Sequence, residues 1–521
     1  MRNNSRKMEI SVTLGEGLYY TFFVLMLMAK GLGWYEGMFS YNLVLVISLS
    51  CILLKVMLEK HTFPEAFLEI FLVAITGLIY LTSKDKAPII FIFMIIGLKN
   101  ISIKKVFRIG AYVLGACFAW RAFWEVTGIR LGFVLAHEKF GLGPILRWSF
   151  GYPHPNVLQI TYAVLAAFIL YSTCRTGKRL WRLLLLLFAG NCYVFFYSLS
   201  YTGFILTSLL LIAVAYFMER KKFGRIEKCL MYLILPVCVV VSLVVPFMVD
   251  STGIARVIGQ IMNRLINQRF LASSLYLKSG VAPFGKDFSL ENIGFALDSS
   301  YVSLLAYDGY ILFALMITAY MLTICQYIRK GKRMETAIIL TFLIAGVSEP
   351  FLFNTSFKNI TLLFVGECMF EILAEIGGKE FGAALGEHRI CICIPLKETR
   401  WKRGIDYRML WKKRGALILL AGVLTGVGYW LLVPEEVYYI DMKNTTCAPQ
   451  EEIYLDEEQI EKGVDGVILS YPGPDQPMYR FTGTTSRIEK ARRTMSWAGI
   501  GCMIVGSIFV FIQKRKGKAL K

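Results

Sequence analysis

Cys229-Leu230-Met231-Tyr232-Leu233-Ile234-Leu235-Pro236-Val237-Cys238-Val239-Val240-Val241-Ser242-Leu243-Val244-Val245-Pro246-Phe247-Met248-Val249 carries no charged side chain. At about 1.5 Å per residue a helix of this length crosses the ~30 Å hydrocarbon core of a bilayer, with its backbone hydrogen bonds satisfied internally. Apolar runs recur along the whole chain, and 56% of the 521 residues are hydrophobic, which excludes a soluble globular class. Outward from this run they predict about fourteen spans: 15–32, 38–57, 65–82, 87–98, 107–125, 157–173, 182–198, 203–218, 229–249, 300–328, 335–353, 357–376, 415–433 and 495–512. The expected fold is therefore an all-α polytopic membrane protein. The first apolar run leads into further spans rather than a cleavage site, so the first helix is expected to insert and stay.

Lys and Arg resist translocation and set the orientation. With both termini cytoplasmic, about 37 of the 57 basic residues fall inside and about 18 outside. Lys104-Lys105, Arg220-Lys221-Lys222, Arg329-Lys330-Gly331-Lys332-Arg333 and Lys514-Arg515-Lys516 all share the inner side. A basic face beside anionic headgroups accounts for the net charge of +20, and no nucleic-acid partner is needed. Of twelve cysteines only Cys447 is expected outside, so no disulfide framework is predicted.

Residues 1–378 read as a core of about twelve spans, 379–414 as a basic cytoplasmic linker and 415–521 as a further transmembrane hairpin. The hairpin carries an acidic external segment, 434–494, with Glu435-Glu436, Glu451-Glu452 and Asp456-Glu457-Glu458. Alternation in Gly466-Val467-Ile468-Leu469-Ser470-Tyr471 before a Pro-Gly-Pro turn makes that segment a small β-rich unit. Its expected effect is on partner contacts or product length rather than on chemistry. His388, Cys391 and Cys393 in the linker lack a fourth ligand, so no metal site is expected.

Chemistry is sought in two long external loops. The loop 126–156 holds Arg130, His137, Glu138, Lys139 and Arg147, and ends in His154-Pro155-Asn156 at the start of a span. Pro155 and Asn156 can simply start that helix, or His154, Asn156 and Arg147 can make a positively biased pocket for phosphate or sugar hydroxyls. The loop 250–298 holds Arg256, Arg264 and Arg269; residues 264–270 read as one amphipathic helical stretch and Ala282-Pro283-Phe284-Gly285 as a turn. An arginine fork suits a pyrophosphate, and Asp298, beside Tyr301, can accept a proton from an attacking hydroxyl. Glu349 closes the eleventh span, where an ionisable group is a functional candidate.

Asn263-Arg264-Leu265-Ile266-Asn267-Gln268-Arg269-Phe270, Pro283-Phe284-Gly285, Asp298-Ser299-Ser300-Tyr301 and Tyr307-Asp308-Gly309 resemble, in order and spacing, the signature of Gram-positive Wzy-type polysaccharide polymerases of the O-antigen polymerase and ligase superfamily. Gly151-Tyr152-Pro153-His154-Pro155-Asn156 is similar to the family's "HPN" element. Ser348-Glu349-Pro350 with Asn354 and Asn359 is similar to its later "E…N" segment. The likeness covers about residues 10–376 and leaves out the last hairpin. It implies an inverting, metal-independent glycosyltransferase without cofactor, in a bacterial plasma membrane with its site facing out. Its donor and acceptor would be undecaprenyl-pyrophosphate-linked glycans. Implied partners are membrane lipids, a chain-length regulator and a flippase.

On that resemblance Arg269, with Arg264 or Arg147, holds the leaving pyrophosphate. Asp298 deprotonates the acceptor, and His154, Asn156, Tyr301 and Glu349 line the substrate site. The chain departs from related ligases twice: they have histidine at Asp298, and Ser-Arg-Thr-Gly where this chain reads Ser200-Tyr201-Thr202-Gly203. One arginine clamp is thus missing, with Arg147 and Arg256 as candidate replacements. Ligase-like transfer to another acceptor, a lipid-linked oligosaccharide flippase and a non-catalytic scaffold are the alternatives. Sparse mid-span charge argues against the flippase.

Overall fold

The computed structural model describes residues 7–127, 134–138, 144–173, 175–220, 222–289, 296–395, 407–435, 438–441, 467–468, 478–481 and 484–519. Arg130, Lys139, the acidic pairs of 451–458 and the Pro-Gly-Pro turn lie outside these residues.

The apolar runs fold as helices, which makes the chain an all-α polytopic membrane protein. The core helices are α1 (Leu14–Gly31), α2 (Phe39–Leu58), α3 (Phe63–Ser83), α4 (Ala87–Ile96), α5 (Ile103–Val126), α6 (Pro155–Thr173), α7 (Gly177–Ser198), α8 (Tyr201–Glu219), α9 (Arg225–Val249), α10 (Gly253–Leu265), α11 (Arg269–Lys278), α12 (Ser300–Tyr307), α13 (Gly309–Lys330), α14 (Arg333–Ala345) and α15 (Leu362–Ile376). The last hairpin is α16 (Tyr407–Leu432) and α17 (Thr484–Ala519). Among the described residues ten helices are long and apolar enough to cross a membrane: α2, α3, α5 to α9, α13, α16 and α17. The other predicted spans fall on α1 and on shorter helices enclosed by the bundle. α4 is buried over nearly its whole length between α3 and α15.

α6 is the central span, with 72% of its apolar window buried, against 39% or less for the other nine. It packs on α5, α7 and α8, while α14 packs on α8 and α9. The outer helices leave apolar side chains such as Leu185, Leu186, Ile205 and Ile212 exposed, as a lipid-facing surface requires.

The two ends of the bundle differ. At one end β1 (Lys7–Thr13) pairs antiparallel with β6 (Arg389–Pro395), the strand that carries Cys391 and Cys393. There β2 (Lys60–Thr62) also pairs with β5 (Glu380–Gly382). α1 starts from this end with a capping box, in which Thr13 Oγ1 accepts from the Glu16 amide (3.1 Å) and Glu16 accepts from the Thr13 amide (3.2 Å). The turns after α1, α5, α7, α9 and α14 gather at the opposite end.

Three sequence expectations change here. The run 300–328 is two helices, broken at Asp308-Gly309, because Gly309 takes a φ of +87° and packs its backbone on Pro283 and Gly285. Loop 126–156 contains an antiparallel ribbon, β3 (Val134–Glu138) with β4 (Pro144–Trp148). Loop 250–298 contains α10 and α11, and residues 264–270 are not one helical stretch but the joint between them.

α10 itself is amphipathic, with Ile254, Val257, Ile258, Ile261 and Leu265 exposed at helical spacing. Such a stripe suits a helix lying in the membrane interface. In the last hairpin Gly422 and Gly426 of α16 sit against Ala498 and Cys502 of α17, a small-residue contact that lets the two helices approach closely. Within 434–494, β7 (Tyr438–Asp441), β8 (Val467–Ile468) and β9 (Met478–Phe481) form a small sheet in the order β8-β7-β9.

Candidate functional site

The joint between α10 and α11 aims Arg269. Asn263 is buried; its carbonyl accepts from the Gln268 amide (2.8 Å) and its Oδ1 from the Leu271 amide (3.0 Å). These bonds hold Asn267 (φ +56°) and Gln268 (φ +62°) left-handed, a conformation that costs a non-glycine residue roughly 1–2 kcal/mol. The next residue, Arg269, opens α11.

Its guanidinium is shared between two carboxylates. Nε pairs with Asp298 Oδ2 at 3.0 Å, and Nη1 donates to Glu349 Oε1 at 2.9 Å. Thr202 Oγ1 donates to the same Glu349 oxygen. The carboxylates are not equivalent, because the Glu349 side chain is 7% exposed and that of Asp298 is 34% exposed. Asp298 is the member a substrate can reach. Burial raises its pKa above the usual aspartate value, and the Arg269 charge opposes that shift.

Ser300 fixes the two carboxylates relative to each other. Its amide donates to the Gly346 carbonyl (2.8 Å) and its hydroxyl to the Glu349 carbonyl (2.5 Å), while it accepts from the Leu352 amide (3.2 Å). The segment after α14 is therefore laced to the start of α12.

Arg147 comes from β4, where successive side chains point to opposite faces. Its Nε donates to the Ser198 carbonyl (2.8 Å) and its Nη2 to Asn156 Oδ1 (2.7 Å). Burial lowers its pKa to about 10, opposed by the charge of Glu349, so it remains a cation at neutral pH. Glu349 is thus the centre of the group, within the field of Arg269, Arg147 and Lys358. Lys358 is buried before α15, with its Nζ bonded to the Val157 carbonyl (3.3 Å).

His154 Nδ1 accepts from the Asn156 amide (3.1 Å) at the start of α6. Burial, with the charges of Arg147 and Arg269, lowers its pKa to about 4. It is a neutral ring at physiological pH, and the accepting Nδ1 assigns its proton to Nε2. His154→Gln is accordingly expected to leave the shape of a pH–activity profile unchanged between about pH 5 and 8, where a free histidine would titrate. A lost limb near pH 6.5 would count against this.

The structure brings together Arg269, Asp298, Glu349, Arg147, Asn156 and His154. It does not bring in Tyr301, which is fully buried and donates to the Leu343 carbonyl (2.8 Å), bracing α12 on α14. Nor does it bring in Arg264 or Arg256, which are exposed on α10. Of Arg147 and Arg256, Arg147 is the one that reaches this group, with Tyr201 nearby. Asn359 is structural as well: it donates to the Leu352 carbonyl (2.7 Å) and Tyr320 Oη (2.9 Å) inside the bundle.

Thr202 and Lys358 were missed by sequence reading. Thr202 sits inside the divergent Ser200-Tyr201-Thr202-Gly203, where its place was legible but its partner was not. Lys358, between Asn354 and Asn359, reads as an ordinary flanking cation. The chain matches no family model, no curated protein and no solved structure.

Proposed function

We propose that this chain polymerises undecaprenyl-pyrophosphate-linked repeat units on the outer face of a bacterial plasma membrane, by inverting glycosyl transfer. The observation that carries the reading is Arg269 held between an open Asp298 and a buried Glu349, with Arg147 in the same field. Arg269 and Arg147 face Asp298 and Glu349 there, and His154 is neutral, so the two guanidiniums are the charged groups that a polyanionic leaving group meets.

The arginines take the electrostatic role that a metal ion plays in other transferases. Pyrophosphate oxygens arriving at Arg269 compete with Asp298 for Nε and release that carboxylate. The acceptor hydroxyl then gives its proton to Asp298 while its oxygen bonds to the anomeric carbon of the donor. The carbon–oxygen bond to the carrier breaks, and its electron pair leaves with the pyrophosphate. Attack opposite the leaving group inverts the centre. Glu349, bonded by Thr202 and Arg269, is a fixed counter-charge that orients the guanidinium.

Two measurements test this. Purified protein given lipid-pyrophosphate-linked oligosaccharide in EDTA is expected to make a ladder of longer products, and no extension by verified folded protein on native substrate would overturn the reading in favour of transport or scaffolding. Because Asp298 acts only when ionised, turnover is expected to fall on acidification, with a midpoint above the usual aspartate pKa. Asp298→Asn is expected to abolish extension; a variant with parental rate and the same acidic limb would remove Asp298 as the base.

A further inference from the structure

The end of α17 nearest the site is bonded to β4 by polar groups rather than packed on it by apolar ones alone. Arg492 is 0% exposed. It donates from Nε to the Phe196 carbonyl (2.8 Å) and from Nη1 to the Leu146 carbonyl (2.7 Å), and lies over the rings of Phe196 and Tyr197. Glu489 pairs with Arg492 and accepts from Trp148 Nε1 (2.8 Å). Tyr197 Oη donates to the Arg492 carbonyl (2.9 Å), and Ser496 Oγ bonds to the hydroxyls of Tyr193 and Tyr197.

These contacts have a pattern. The two carbonyls held by Arg492 belong to the residue before Arg147 and to a residue two before Ser198, whose own carbonyl holds Arg147 Nε. Trp148 and Leu146 lie on the face of β4 that meets α17, and Arg147 projects from the other face toward Asn156. A hairpin that only anchors the segment 434–494 needs lipid-facing apolar helices and nothing else. A buried arginine and glutamate are costly unless they are partnered, and here the partners are the Leu146 carbonyl just before Arg147, the Trp148 indole just after it and the Phe196 carbonyl, with Nη2 of Arg492 left unbonded among the described residues.

We infer that the C-terminal hairpin is a positioning element of the site: Glu489 and Arg492 clamp β4 and the end of α7, and so hold Arg147 where it receives the leaving pyrophosphate. The pyrophosphate role rests on the function proposed above; the clamp does not. Residues 415–521 therefore belong to the working enzyme rather than to an appendix that tunes product length.

The test uses full-length protein with Arg492→Ala, Arg147→Ala, the double variant and the milder Glu489→Gln. Hydrogen–deuterium exchange is read over 144–156 and 194–202, and turnover on lipid-pyrophosphate-linked oligosaccharide is split into kcat and KM. Arg492→Ala is expected to speed exchange in those two segments and leave α9 and α13 unchanged. It is also expected to slow turnover on the order of tenfold to a hundredfold, the scale of an ångström misplacement. The double variant is expected to be no slower than Arg147→Ala, because Arg492 acts through Arg147, and Glu489→Gln to move both readouts the same way by less. Unchanged exchange in both segments, or fully additive losses, would overturn the inference. A parent protein inactive on this substrate would overturn the proposed reaction and the role given to Arg147, while exchange would still decide whether the hairpin clamps β4.

Discussion

Arg269→Ala is expected to abolish chain extension while leaving the protein in the membrane, with a loss on the order of 10²- to 10³-fold in turnover, the usual scale for one preorganised electrostatic donor. The expectation follows from its position. Arg269 meets both the open carboxylate and the buried one, and no other described cation is bonded to either. Removing it also leaves Glu349 buried with less compensation, which destabilises the fold on the order of 3 kcal/mol, since Thr202 and the fields of Arg147 and Lys358 remain. Activity and stability therefore have to be separated. Adding Glu349→Gln to Arg269→Ala is expected to recover thermal stability in detergent without recovering extension. Arg269→Lys keeps a charge but not the fork that reaches two carboxylates at once, and is expected to retain little activity. Normal polymer length in Arg269→Ala at matched protein level would sink the site assignment.

Much of this arrangement was legible in the sequence, and the reasons are physical. Apolar runs leave a membrane chain no alternative to helix, so every predicted span overlaps a helix, although 300–328 is broken in two and 335–353 runs past the end of α14 at Ala345. Arg269, Asp298 and Glu349 stood out because they lie in or beside external loops of a chain whose mid-spans carry little charge, and the turns that carry them meet at one end of the bundle. What failed depended on rotation and backbone sign. Tyr301 is three residues from Asp298, but the first turn of α12 rotates it toward α14 and into the core. Gln268 gives no sign in one dimension that it adopts a left-handed conformation, so the α10–α11 joint read as continuous helix. Arg492, next to Arg493, reads as one more flanking charge. Only the fold shows it facing two carbonyls some 300 residues earlier in the chain.

Gly285→Ala is expected to be the most damaging single-methyl change in the core. Its φ is +78°, and a Cβ there would lie 1.8 Å from the Tyr307 carbonyl oxygen and 2.5 Å from its carbon, both backbone atoms that cannot turn aside. The contact is reciprocal, since a Cβ on Gly309 would meet the Pro283 oxygen and the Gly285 nitrogen at 2.4 Å each. Hydrogen bonds from the amides of Lys286, Tyr310 and Ile311 to the carbonyls of Ala306, Ala282 and Pro283 tie the same two strips together. This is the physical content of Pro283-Phe284-Gly285 and Tyr307-Asp308-Gly309: two stretches of backbone pressed together, which breaks the tenth span and fixes where α12 ends. Asp298 lies just before α12, so separating the strips also moves the proposed base. Gly280→Ala is the internal control. Its φ is +94°, yet nothing lies within 4 Å of its Cβ position, so it bears the cost of a positive φ alone, roughly 1–2 kcal/mol. Gly285→Ala adds a backbone clash and is expected to cost on the order of 4 kcal/mol or more, the range in which a named steric mechanism dominates. Thermal unfolding of both variants in detergent checks the difference. If Gly285→Ala is no less stable than Gly280→Ala, the backbone contact between the two motifs does not hold the site end together.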